Sequence, residues 1–132
     1  FGEQEETALI TLKNERGLLH TGGDDDVYAV LLPVVARLTD EIETRVMYWN
    51  PRSVESEGRS VAHLILCGGS VNMAGLPEYL TEALGIETAC ADVWRNVFAG
   101  RDVVPPIARR YSYGYATAIG LALRDSLEQE SP

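Results

Sequence analysis

The chain has 132 residues, 45% of them hydrophobic, which is enough for one globular unit with its own core. Twenty acidic residues against eleven basic ones leave a net charge of -9, which argues against nucleic acid or an anionic membrane as a broad partner. No apolar run approaches the roughly 18 residues of a membrane span, and the first residues lack the layout of a secretory signal, so the sequence reads as cytosolic with no direct membrane insertion. Cys67 and Cys90 stand in apolar surroundings with no His or Cys at ligand spacing. That pattern argues against a disulfide framework and against zinc, and makes both reduced core thiols. The first residue is Phe1 and not Met, as in a cut or processed product.

In chain order, Leu9, Leu12 and Arg16 at helical spacing predict a helix over residues 6–19 with Gly17 as its stop. His20–Asp26 (HTGGDDD) reads as a loop whose three Asp residues suit a helix N-terminus. The helix that follows carries Val30, Leu31, Val34, Leu38, Ile42, Val46 and Trp49 as one apolar stripe from Val27 to about Asn50, with Pro33 kinking it or lying near its start. Asn50–Ser60 (NPRSVESEGRS) is polar and contains Pro and Gly, so it is an exposed connection.

Val61–Cys67 (VAHLILC), closed by Gly68 and Gly69, has the composition of a buried strand in a sheet covered on both faces. His63 inside it reads as a structural residue, not a ligand or base. Gly75-Leu76-Pro77-Glu78 opens a helix that Gly85 ends, and Ile86–Ala91 (IETACA) is a second strand. Strand, glycine turn, helix and strand make a βαβ unit with parallel strands. From Ile107 to Gln129 the chain is helical, and its face of Gly114, Ala116, Thr117, Ala118, Gly120 and Ala122 is small enough for close approach to a neighbouring element. Tyr111, Tyr113 and Tyr115 just before that face suit packing at an interface better than a ligand cage.

The segment with chemical content is His63–Leu80, HLILCGGSVNMAGLPEYL. Glycines at Gly68 and Gly69 can take φ above zero and let the backbone come within hydrogen-bonding distance of a flat or phosphorylated ligand. Ligands of open α/β sheets bind beyond the carboxyl ends of strands, where this turn falls. A tight strand-to-helix turn with no ligand fits the same pattern, because a glycine-rich loop alone is weak evidence.

The stretch LILCGGSVNMAGLPEYLTEALGI resembles the adenosine-contacting loop of the actin, sugar-kinase and heat-shock-chaperone superfamily, and within it the PilM family of type IV pilus assembly proteins and its relative FtsA. Leu31–Trp49 (LLPVVARLTDEIETRVMYW) is similar to the long helix that precedes this loop in the family. Asp92–Val97 (DVWRNV) resembles the short stretch that follows it, and Tyr115–Arg124 (YATAIGLALR) the closing helix.

The resemblance implies an α/β fold of the ribonuclease-H-like, actin type, of which this chain is the C-terminal portion. Residues 1–26 would then form the edge of a small nucleotide-side subdomain, and 27–132 the C-terminal actin-like subdomain. It implies ATP as ligand, with magnesium, in the intact protein and no tightly bound cofactor here. Gly68, Gly69 and Ser70 would approach the adenosine and inner phosphates, with Asn72 supporting the loop or serving only as a turn residue. Lys13 would reach the adenine or ribose, or else stand as a solvated helix lysine. Ile10 departs from the family pattern, where a ribose-binding glutamate is usual.

The phosphate- and magnesium-binding hairpins of the superfamily have no counterpart here, so the resemblance implies no catalysis and no catalytic or metal-ligating residue in this chain. The implied partner is the N-terminal tail of a PilN-like pilus protein, docked on the absent lobe, together with self-association, at the cytoplasmic side of the inner membrane. A sugar-kinase-like phosphotransferase and an FtsA-like filament protein are the alternatives. The first would need an upstream aspartate base and sugar pocket, and the second a C-terminal amphipathic membrane helix, which the acidic end RDSLEQESP does not resemble.

Overall fold

The computed structural model describes residues 2–19, 26–54, 60–95, 97 and 107–128. The first helix, α1 (Glu3–Glu15), begins three residues before the expected start. Glu3, Glu5 and Glu6 place negative charge at its positive end, and the Glu5 carboxylate accepts the Gly2 N–H at 3.3 Å. After Arg16 the chain turns at Gly17, with φ 47, as the stop signal predicts.

Helix α2 (Asp26–Val54) starts where expected and runs past Asn50, through Pro33 and Pro51. Pro33 is its eighth residue, away from the start. Ala29, whose carbonyl loses its helical donor to Pro33, is exposed, so water can take the donor's place. The exposed connection predicted over 50–60 is therefore helical in its first part, and Asn50 turns its side chain to accept the Val61 N–H at 3.0 Å. Residues 55–59 and the loop 20–25 lie outside the described residues.

Strands β1 (His63–Leu66) and β2 (Glu87–Cys90) pair in parallel, with the Ala91 N–H continuing the ladder to the Leu66 carbonyl at 2.8 Å. Between them stand a single 3₁₀ turn (Gly69–Asn72) and helix α3 (Leu76–Leu84), so the predicted βαβ order holds. The expected burial of β1 on both faces does not hold. Leu64 and Leu66 are half-buried while His63 and Ile65 are exposed, Ile65 to 64%. An apolar run reports the polarity of a strand and not what lies over it. His63 has a partner the sequence did not disclose: its Nδ1 lies 3.2 Å from the Glu87 carboxylate on the adjacent strand, and both side chains are exposed.

The same correction applies to the cysteines. Both are free, but Cys67 is exposed at the end of β1 and Cys90 only half-buried, so neither is a core thiol.

By compactness the chain divides into two units, residues 1–64 with 72–89 and residues 65–71 with 90–132. In the first, α2 packs on α3, and the core is Leu18, Val35, Met73, Leu76 and Leu80. The stripe predicted on α2 is only partly inside. Leu31, Ile42 and Val46 are half-buried, whereas Val30, Val34, Leu38 and Trp49 are exposed, and the buried anchor is Val35. Leu31, Val35, Ile42 and Val46 share one row of the helix, and Val30, Val34 and Leu38 form the next row round.

The second unit holds α4 (Arg109–Ser112), a 3₁₀ turn (Tyr113–Tyr115) and α5 (Ala116–Glu128), so the predicted last helix exists with a break at the tyrosines. Ser112 and Tyr113 are buried, and Tyr111 and Tyr115 are exposed. The Arg110 guanidinium stands 4.8 Å over the Tyr111 ring. The small-sided face is small enough for close approach to a neighbour, and Gly114, Thr117, Ala118, Gly120 and Ala122 on it are exposed. Among the described residues, nothing lies within 4 Å of where a Cβ on Gly114 or Gly120 would stand. Small side chains permit close approach and do not by themselves supply the surface to be approached.

Candidate functional site

The predicted ligand turn is present, and its two glycines do different work. Gly68 takes φ 103, a conformation that side-chain-bearing residues rarely adopt, and its N–H donates to the Tyr113 carbonyl at 2.9 Å. Its carbonyl in turn accepts the Val71 N–H at 3.3 Å. Gly68 is thus the joint that stops β1 and ties the turn to the segment ahead of α5. Gly69, free as a glycine to take a positive φ too, does not, because it opens the 3₁₀ turn Gly69–Asn72.

Gly69 and Ser70 are exposed, and a Cβ added to Gly68 or Gly69 would meet nothing within 4 Å among the described residues. Val71 turns inward and closes the base of the turn. The result is a short, anchored stretch of backbone at the carboxyl end of β1, with open space beside it.

Gly68, Gly69, Ser70 and Asn72 are therefore brought together in one turn, with Asn72 its half-buried last residue. Lys13 lies in the last turn of α1, half-buried along an apolar groove with Leu9, Leu12, Val27, Val30 and Leu31, and belongs to the first unit. Ile10 is an exposed apolar side chain on the same helix.

Three features escaped sequence reasoning. The Oδ1 of Asn14, next to Lys13, is buried with no hydrogen-bonding partner among the described residues. A buried acceptor left unpaired costs about 1–3 kcal/mol, which singles it out as a place where a donor would be taken. An Asn among Lys and Glu on a helix gives no sign of this in sequence. The second feature is the Thr81 hydroxyl, which donates to the Pro77 carbonyl at 2.8 Å and accepts the Thr88 N–H at 3.1 Å, joining α3 to β2. The third is the Tyr113 carbonyl that holds Gly68, where only the ring invited attention. Among the described residues no group of three or more His, Cys, Asp or Glu could hold a metal ion.

A strand that runs through a glycine joint into an exposed turn and a helix, and pairs in parallel with the next strand, defines the class as an α/β protein. The family model for type IV pilus assembly protein PilM matches residues 13–126, and the chain belongs to that family. No curated protein and no solved structure matches the chain. No described helix is long and apolar enough to cross a membrane.

Proposed function

We propose that this chain is the part of an actin-like, ATP-binding scaffold of type IV pilus assembly that offers the Gly69–Asn72 turn to adenosine nucleotide. The observation that carries this reading is the anchored turn itself. Gly68, just ahead of it, is fixed by φ 103 and by the bond to Tyr113, while Gly69 and Ser70 are exposed. Membership of the PilM family supports the same reading and favours it over the phosphotransferase and cell-division alternatives.

On this reading the nucleotide, with magnesium, acts as a structural ligand or switch more than as a fuel. The protein would act at the cytoplasmic side of the inner membrane through a PilN-like tail and through copies of itself.

Saturation-transfer NMR tests this, since it detects weak ligands. The adenine protons of Mg-ATP should receive saturation from the parent protein and lose it with Gly69→Val. That substitution places its bulk in open space at a residue that is not left-handed, so circular dichroism should keep the helix content. Equal saturation transfer from both proteins would make the turn structural only.

A further inference from the structure

The two edges of the β1–β2 sheet end differently. On β2, the Thr88 N–H is taken by the Thr81 hydroxyl at 3.1 Å, and Thr88 is buried. Helix α3 thus closes that edge, as sheets protected from pairing with other chains require. On β1, the Leu66 carbonyl accepts the Ala91 N–H, so Leu66 turns its main-chain groups toward β2. Such groups alternate in direction along a strand, and those of His63 and Ile65 therefore point to the opposite side. Among the described residues the sheet has two strands, and none pairs with that side of β1. The open edge also lacks the charges and prolines that guard edges. No Asp, Glu, Lys or Arg occurs from Ser60 to Pro77, β1 contains no Pro, and Ile65 is 64% exposed.

We propose that the open edge of β1 is a self-association surface, at which two copies of the chain pair antiparallel about Ile65 into a four-stranded sheet. Two observations favour a second copy as the occupant. At a net charge of -9 two copies repel each other, and the longest uncharged stretch of the chain is the one that contains β1, so they can approach there. An edge strand set antiparallel to its own copy is also self-complementary, with every outward N–H meeting a C=O. A two-fold axis through Ile65 sets that residue beside Ile65 of the second copy, and His63 beside Cys67 of the second copy. The isoleucine pair removes from water two side chains that are otherwise exposed. The pairing closes at two copies, because each uses its open edge and Thr81 covers the other. The proposal gives the self-association in the reading above a surface and rests on that part of it; the nucleotide has no role in it.

Sedimentation velocity and amide hydrogen exchange on the full chain test this. Raising the concentration from micromolar to millimolar should convert the parent from monomer to dimer. It should also slow exchange at the His63, Ile65 and Cys67 amides by at least about tenfold, with the Thr88 amide, already bonded, unchanged. Ile65→Lys and Ile65→Glu should each stay monomeric, because the axis sets like charges side by side, and an equimolar mixture of the two should dimerise again. Should either variant lose its helix content, the parent's amides decide: slowing at His63, Ile65 and Cys67 supports the surface, and its absence overturns it. A dimer that survives Ile65→Lys places the contact elsewhere and overturns this surface while self-association stands. A mixture that stays monomeric overturns the two-fold pairing about Ile65. A parent that is monomeric at every concentration leaves the edge to a strand of another protein, and it overturns both the surface and the self-association without touching the nucleotide reading.

Discussion

Helices α2 and α3 both carry apolar stripes at helical spacing, and the structure treats them differently. On α3, Leu76 and Leu80 are inside, Leu80 fully so. On α2, Val30 and Val34 are 71% and 69% exposed although they recur just as regularly. The difference lies in what stands at the ends of each helix. Helix α3 is fixed by left-handed Gly75 and Gly85, by the Thr81 hydroxyl bonded to the Thr88 N–H, and by Ala74 ahead of it, whose N–H donates to the Asn14 carbonyl at 3.2 Å and whose carbonyl accepts the Leu18 N–H at 2.8 Å. Helix α2 is 29 residues long, and α3 spans nine. A stripe is a statement about one face of a helix; its burial is a statement about the neighbour.

The comparison can be broken by substitution. The largest effect belongs to Leu80→Ala, which should cost about 2–5 kcal/mol as a cavity in a site with no exposure, read as a lowered denaturation midpoint with an unchanged denaturant slope. If it behaves like a surface change, α3 is not the centre of the core. Next comes Thr81→Val, which removes the acceptor of the Thr88 N–H in a buried setting and should cost about 1–3 kcal/mol, whereas Thr81→Ser should restore most of it. Val34→Ala should stay within about 0.5 kcal/mol, as exposed positions do. A loss comparable to that of Leu80→Ala would mean that the outer row of α2 is covered in solution, and self-association measured by sedimentation would then be the first thing to examine.

What was legible in the sequence follows the same division. The order of elements, the caps at Gly17, Gly75 and Gly85, Pro77 in the first turn of α3 and the turn after β1 could be read because each depends on local chemistry: a φ only glycine tolerates, a missing N–H, a period. Burial was overread at Ile65, Cys67 and Val30, since apolar composition cannot reveal whether another layer is present. At the site, the turn was legible and its internal division was not. That Gly68 is bonded and left-handed while Gly69 is neither left-handed nor crowded follows from the Tyr113 carbonyl, a backbone group 45 residues away in the chain that no side-chain pattern announces. Asn14 and Ala74 were passed over for the same reason, because their importance lies in main-chain geometry and in a missing partner.

The central claim is that the Gly69–Asn72 turn is the nucleotide-contacting element, and amide chemical-shift mapping under Mg-ATP titration tests it most directly. The largest shifts should fall at Gly69, Ser70 and Asn72, with the Gly68 amide moving less because its N–H stays on the Tyr113 carbonyl. The shifts should grow with concentration as expected for weak binding, and Gly69→Val should abolish them without disturbing the resonances of Leu76–Leu84. Shifts confined to other elements, or none at the turn at millimolar nucleotide, would contradict the account.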